Sequence, residues 1–124
     1  MGYTQRRAQP HPHIPTSKIS FRSGDAGQIF QVVQDFPKDE TAVLIDPPRK
    51  GTDEFFIDQL LAFGPKTVVY VSCNVHTQAR DVAMIMEKGM KDGVTKYRLE
   101  SVQGFDLFPQ TAHVESVAVL RRVD

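Results

Sequence analysis

Two short, continuously apolar runs constrain this chain more than any other feature. Thr41-Ala42-Val43-Leu44-Ile45 ends abruptly at Asp46-Pro47-Pro48, and Thr67-Val68-Val69-Tyr70-Val71 ends at Ser72-Cys73-Asn74. A strand apolar on both faces is a strand buried on both faces, the signature of a parallel sheet. Parallel neighbours need a crossover, and the segment between the runs supplies one. Thr52 to Phe63 reads as a helix, with Thr52 as cap, Asp53 and Glu54 in the first turn, and Phe55, Phe56, Leu60, Leu61 and Phe63 facing inward. Gly64-Pro65 stops it.

The pattern extends in both directions. Lys18 to Phe21 alternates as a strand does, and Ala26 to Gln34 carries Ile29, Phe30 and Val33 at helical spacing. Thr77 to Met90 reads as a helix with Val82, Ile85, Met86 and Met90 inward. Tyr97 to Val102 and Val114 to Leu120 read as strands. The resulting order, β-α-β-α-β-α-β-β, argues for an α/β fold with a doubly wound parallel sheet. Gln103 to His113 is too short for a crossover helix, so the last two strands pair antiparallel. Residues 18–124 form this domain; residues 1–17, with Pro10, Pro12 and Pro15, read as a disordered arm.

In open α/β sheets, ligands sit beyond the carboxyl ends of the parallel strands. A final antiparallel strand begins on that same edge. Asp46, Cys73 and the His113–Glu115 segment therefore converge on one rim.

Each rim residue has two readings. Cys73 is the sole cysteine of 124 residues, which excludes an intrachain disulfide and a cysteine-based metal cluster. It is either a small buried spacer or a nucleophile, since a helix N-terminus stabilises a thiolate. Asp46 either holds a ligand hydroxyl or amine on a proline-stiffened loop, or simply makes a turn. Arg49 and Lys50 either meet a phosphate or are solvated. Glu115 is either a general base or an edge carboxylate facing water. Phe105 and Phe108 either stack on a flipped base or pin their loop to the core. His113 and Asp106 lack metal-ligand spacing, so no metal is expected.

Charge and length narrow the classes. With 15 Lys+Arg against 15 Asp+Glu, the chain is neither a uniformly basic nucleic-acid coat nor an acidic tail. No stretch approaches the roughly 20 apolar residues of a membrane span, and the first residues lack a signal-peptide core. The chain reads as intracellular and non-secreted, with cytoplasm, nucleus and mitochondrion all open.

Three segments then occur in order: Ile45-Asp46-Pro47-Pro48-Arg49-Lys50-Gly51; Tyr70-Val71-Ser72-Cys73-Asn74 with Thr77 and Ala79-Arg80-Asp81; and Asp106 through Glu115. Together they resemble the carboxyl-terminal catalytic half of the RNA 5-methyluridine methyltransferases, and most of all the fungal tRNA enzymes of that family. The resemblance covers about residues 18–122. It implies the C-terminal portion of a Rossmann-like sheet, S-adenosylmethionine as cofactor and RNA, most simply tRNA, as partner. It implies Cys73 as the nucleophile that adds to uracil C6 and Glu115 as the base that removes the C5 proton. Asp46 corresponds to a cofactor-contacting aspartate, Asp25 to a carboxylate near the cofactor's adenine, and Arg49 to support of the loop or the target nucleotide. Val75 departs from the proline that many relatives carry after Ser-Cys-Asn.

Full family members carry a Gly-rich cofactor loop before the third strand. No such segment precedes Lys18, so the 124 residues alone are expected to bind cofactor weakly and to methylate slowly or not at all. Lys18–Phe21 would be the third strand without its two neighbours, an unpaired edge that invites association. Two further classes stay open: a non-catalytic remnant that binds RNA or a partner protein, and a thiol enzyme in which His113 activates Cys73.

Overall fold

The computed structural model describes residues 13, 15–91 and 95–123, so most of the expected arm lies outside the described residues. Four strands and three α-helices follow a leading irregular segment: α1 (Ile29–Val32), β1 (Ala42–Ile45), α2 (Glu54–Phe63), β2 (Thr67–Ser72), α3 (Val75–Lys91), β3 (Lys96–Phe105) and β4 (Glu115–Val123). The sheet order is β1-β2-β4-β3. β1 and β2 are parallel, with Ala42 beside Thr67 and Ile45 beside Tyr70. β4 runs antiparallel to both of its neighbours. The sheet is thus α/β, mixed, and closes on an antiparallel strand as the short final connection requires.

The expected strand at Lys18–Phe21 does not form. Thr16–Lys18 makes a 3-10 turn, and the chain then runs irregularly past Phe21, which is 72 % exposed. An alternating pattern makes a strand only where a neighbour satisfies its backbone groups, and the described residues provide none. The helix expected over Ala26–Gln34 is shorter. A 3-10 turn, Ala26–Gln28, precedes the four residues of α1. Val33 leaves the helical region at φ −117°, four residues before Pro37.

α2 begins later than expected because Asp53, not Thr52, is its cap: the Asp53 side chain accepts from Phe56 N at 2.7 Å. Gly64 ends it in the left-handed conformation, φ 66°, and returns its N–H to Leu60 O. α3 begins two residues early, because Asn74 Oδ1 accepts from His76 N and Thr77 N. β3 and β4 each outrun their apolar patterns by pairing with one another.

The core lies on one face of the sheet. Ile45, Val68, Tyr70, Ala118 and Leu120 meet Ile57, Leu60, Leu61, Val82 and Ile85 of the two long helices. Two expected inward residues are not in it: Phe55 is 56 % exposed and Met90 72 %. Ile57 takes the place assigned to Phe55, being completely buried. On the opposite face Val69, Val71, Val117 and Val119 are only partly covered, and Leu44 on edge strand β1 is 67 % exposed.

Candidate active site

The strand ends build the rim. In the β2–β4 ladder Ser72 lies opposite Ser116; one further step in that register brings Cys73 opposite Glu115. Across β4, Glu115 lies opposite Phe105. Directly opposed residues of antiparallel strands share a face, so thiol, carboxylate and aromatic ring stand in adjacent columns on the sheet face away from the core. Cys73 is half-buried and unoxidised, and Glu115 is half-buried. The turn after β2 is held by Ser72, whose hydroxyl donates to Asn74 O at 2.9 Å and accepts from Asn74 N at 3.0 Å.

Asp46 and Asp25 lie apart from that pair. Both line an open groove of about 1380 Å³ between the 21–30 segment, the end of β1 and the start of α2. Asp25 accepts from Gly27 N at 2.8 Å and so caps the turn that forms one wall. Phe30, Val43, Ile45 and Pro47 give the groove apolar surface between two carboxylates. A ligand with a flat apolar base, hydroxyls and a cationic end fits that combination, which is the chemistry of an S-adenosyl group.

The loop after β1 is gripped by α3. Arg49 O accepts from Thr77 Oγ1 at 2.7 Å and from Asn74 Nδ2 at 3.2 Å. Arg80 Nη2 donates to Lys50 O at 2.7 Å and to Thr52 O at 3.3 Å. The Asp81 carboxylate, with no exposed surface, accepts from Tyr70 OH at 2.6 Å, Thr52 N at 2.7 Å and Thr52 Oγ1 at 3.1 Å. Its other oxygen pairs with Arg80 Nε and Nη2 at 3.1 and 3.0 Å. Burial, and then the hydrogen bond to Asp81, push the Tyr70 phenol far above its ordinary range. Gly51 allows the approach: its φ is 81°, and a Cβ there would lie 2.5 Å from Asp81 Oδ2 and 2.7 Å from Arg80 Nη2. None of Tyr70, Thr52, Arg80 or Asp81 stood out as a site residue in the sequence. The available signal was Asn74, Thr77 and Asp81, spaced three and four apart on one helix face that also bears buried apolar residues.

Arg49 reaches across the rim as well, its Nη2 donating to His113 Nδ1 at 2.9 Å. His113 is therefore engaged by Arg49 through Nδ1. Its loop is otherwise self-contained: Thr111 N and Oγ1 donate to Phe108 O, and Gln110 takes a left-handed φ of 65°. Phe105 and Phe108 are exposed and stand outside the buried cluster, so they do not pin this loop to the core. Among the described residues no group of three or more His, Cys, Asp or Glu could hold a metal ion, and no helix is long and apolar enough to cross a membrane.

Fold and rim together define an α/β protein with its ligand groups at the strand ends. Residues 31–123 match the family described as tRNA (Uracil-5-)-methyltransferase. The chain is 49 % identical over 109 residues to a tRNA (uracil(54)-C(5))-methyltransferase of Schizosaccharomyces pombe, covering 86 % of this chain and 20 % of that one. It is 46 % identical over 103 residues to the Saccharomyces cerevisiae protein of the same name, covering 83 % of this chain and 16 % of that one. A crystal structure of Pyrococcus abyssi tRNA (uracil-54, C5)-methyltransferase in complex with S-adenosyl-L-homocysteine superposes with a TM-score of 0.53 at 40 % identity, covering 64 % of this chain and 18 % of that one. The chain belongs to the tRNA (uracil-5-)-methyltransferase family. It spans a fifth or less of the length of these relatives.

Proposed function

We propose that this chain carries the catalytic rim of an S-adenosylmethionine-dependent methyltransferase acting on uridine C5 in RNA, with tRNA as the substrate class. The observation that carries the reading is the end of the β2–β4 ladder, whose last pair, Ser72 with Ser116, has Cys73 and Glu115 as the next residues along the chain, in a protein whose family is established. S-adenosylmethionine, when bound in the groove between Asp25 and Asp46, supplies the methyl group.

The protein's own residues do the rest. Uracil C5 is a weak nucleophile. The Cys73 thiolate adds to C6, and the ring electron pair this releases is concentrated at C5, which becomes able to take up a methyl group. Glu115 then accepts the C5 proton, the electron pair of that C–H bond restores the C5–C6 double bond, and the thiolate departs from C6. Covalent addition thus divides one difficult substitution into easier steps. Asp46, at the end of β1, orients the cofactor's polar end. Arg49, on the loop that α3 grips, supports the target nucleotide, and the exposed Phe105 and Phe108 offer rings on which a flipped base can stack.

The adduct at C6 gives the sharpest test. Incubation with 5-fluorouridine-containing tRNA and S-adenosylmethionine is expected to give a protein–RNA species that survives denaturation, since a base cannot remove fluorine from C5 once the methyl group is in place, and that is absent from Cys73→Ala. RNA binding without any adduct in the wild-type chain would mean a non-catalytic RNA-binding remnant instead.

A further inference from the structure

We infer that Asp81 and Arg80 are positioning residues, which set the place of Arg49 relative to Cys73. The inference deepens the methyltransferase reading and rests on it only for its consequence in chemistry. Asp81 is fully buried, and Arg80 lines the groove that Asp25 and Asp46 also line. Both sit in the second turn of α3, the helix that starts two residues after Cys73. From there they hold three backbone groups of the loop that carries Arg49: Lys50 O, Thr52 N and Thr52 O.

The arrangement is expensive for stability alone. A carboxylate with no exposed surface loses its hydration, and only a full set of donors compensates. Here the donors come from three separate elements: Tyr70 on β2, Thr52 on the loop and Arg80 on α3 itself. An apolar residue at 81 would pack among the same neighbours, but it could not fix the loop's height above the helix. Through the loop, the carboxylate bears on both contacts that Arg49 makes. Its carbonyl meets Asn74 and Thr77 beside the cysteine, and its guanidinium meets His113 on the loop leading to Glu115. The α3 network is thus the common reference for the groove side and the thiol side of the rim.

Asp81→Asn preserves shape but removes the charge. Arg80→Lys keeps charge but loses the planar guanidinium, which meets Asp81 through Nε and Nη2 and the loop carbonyls Lys50 O and Thr52 O through Nη2. In isotope-labelled full chain at pH 8, His113 Nδ1 should show the nitrogen shift of an acceptor engaged by Arg49. Arg49→Ala supplies the reference for its loss. Asp81→Asn is expected to move that signal at least halfway to the Arg49→Ala value and to speed amide exchange of Gly51 and Thr52 about tenfold or more. Arg80→Lys should fall between wild type and Asp81→Asn. Signals of β3 and β4 distant from the loop, such as Leu99 and Leu120, should stay in place, which separates repositioning from unfolding. An unchanged His113 signal in a folded Asp81→Asn chain overturns the inference, and so does a change that spreads equally to Leu99 and Leu120. In the 5-fluorouridine trap, Asp81→Asn should slow adduct formation at least tenfold while half-saturation by RNA stays within about threefold. If the wild-type chain traps no RNA yet the His113 signal responds as described, the methyltransferase reading fails and the positioning role stands.

Discussion

Two loops reach the same rim by opposite means. The loop from Asp46 to Asp53 is short, carries two prolines, and is held through its backbone by Asn74, just before α3, and by Thr77, Arg80 and Asp81 of α3. The loop from Asp106 to Val114 is held by its own turns and by one side-chain contact, Arg49 to His113. The first has buried polar anchors; every residue of the second is exposed. The difference teaches a division of labour. Under the proposed function, groups that need a fixed place relative to the thiol are on the anchored loop, and groups that yield to an incoming nucleotide, Phe108 and His113, are on the loose one.

The largest perturbation attacks the anchored loop at its tightest point. Gly51→Ala forces a left-handed residue, at roughly 1–2 kcal/mol, and drives a methyl group into the Asp81 carboxylate. Displacing a buried charged hydrogen bond adds roughly 1–3 kcal/mol. Urea titration should therefore show a loss above about 2 kcal/mol; a loss under about 0.5 kcal/mol would mean the loop is not clamped at all.

Tyr70→Phe is the intermediate case. It deletes one donor to Asp81 and leaves the others, at about 1–3 kcal/mol. The same residue gives a pH signature. Burial first, and then Asp81, raise the Tyr70 phenol, and burial raises Tyr97 as well. A raised phenol favours the folded state fully below the unfolded value of about 10, and this contribution is lost as pH climbs from there towards the folded value. Stability should decline from about pH 10 upwards, less steeply in Tyr70→Phe, with Tyr97 and Lys88, the latter raised by its hydrogen bonds to Asp58 and Glu54, contributing to the decline that remains. Equal slopes would show that the Tyr70 phenol is not shielded.

The smallest effect belongs to the loose loop. His113→Ala removes an exposed contact and should change stability by under about 0.5 kcal/mol, while the rate of adduct formation in the 5-fluorouridine trap falls severalfold. A large stability loss here would erase the distinction between the two loops.

What could be read in the sequence follows the same physics. β1, β2, α2 and α3 announce themselves because burial on both strand faces and on one helix face leaves an apolar period. The full length of β3 does not, since among its residues only Tyr97 is buried; it is a strand because β4 lies beside it. Lys18–Phe21 failed in the opposite sense, having the period without a partner. Cys73, Asp46 and Glu115 were legible because polar residues at strand ends stand out against apolar runs. Asp81 was read only as part of a helical segment, because its role is to hold the backbone N–H of Thr52, 29 positions earlier in the chain, and helical spacing marks its face but not that partner.

The strand order has a consequence for how the molecule comes to exist. β4 follows β3 in the chain, yet it lies between β2 and β3. Until Glu115–Val123 has left the ribosome, β3 has no seat and β2 has one bare side. Helices α2 and α3 can only rest on a two-stranded ribbon, and such ribbons are marginal alone. Assembly of this sheet therefore waits for β4, and Glu115 takes its place at the strand end in the same event that joins β2 to β3.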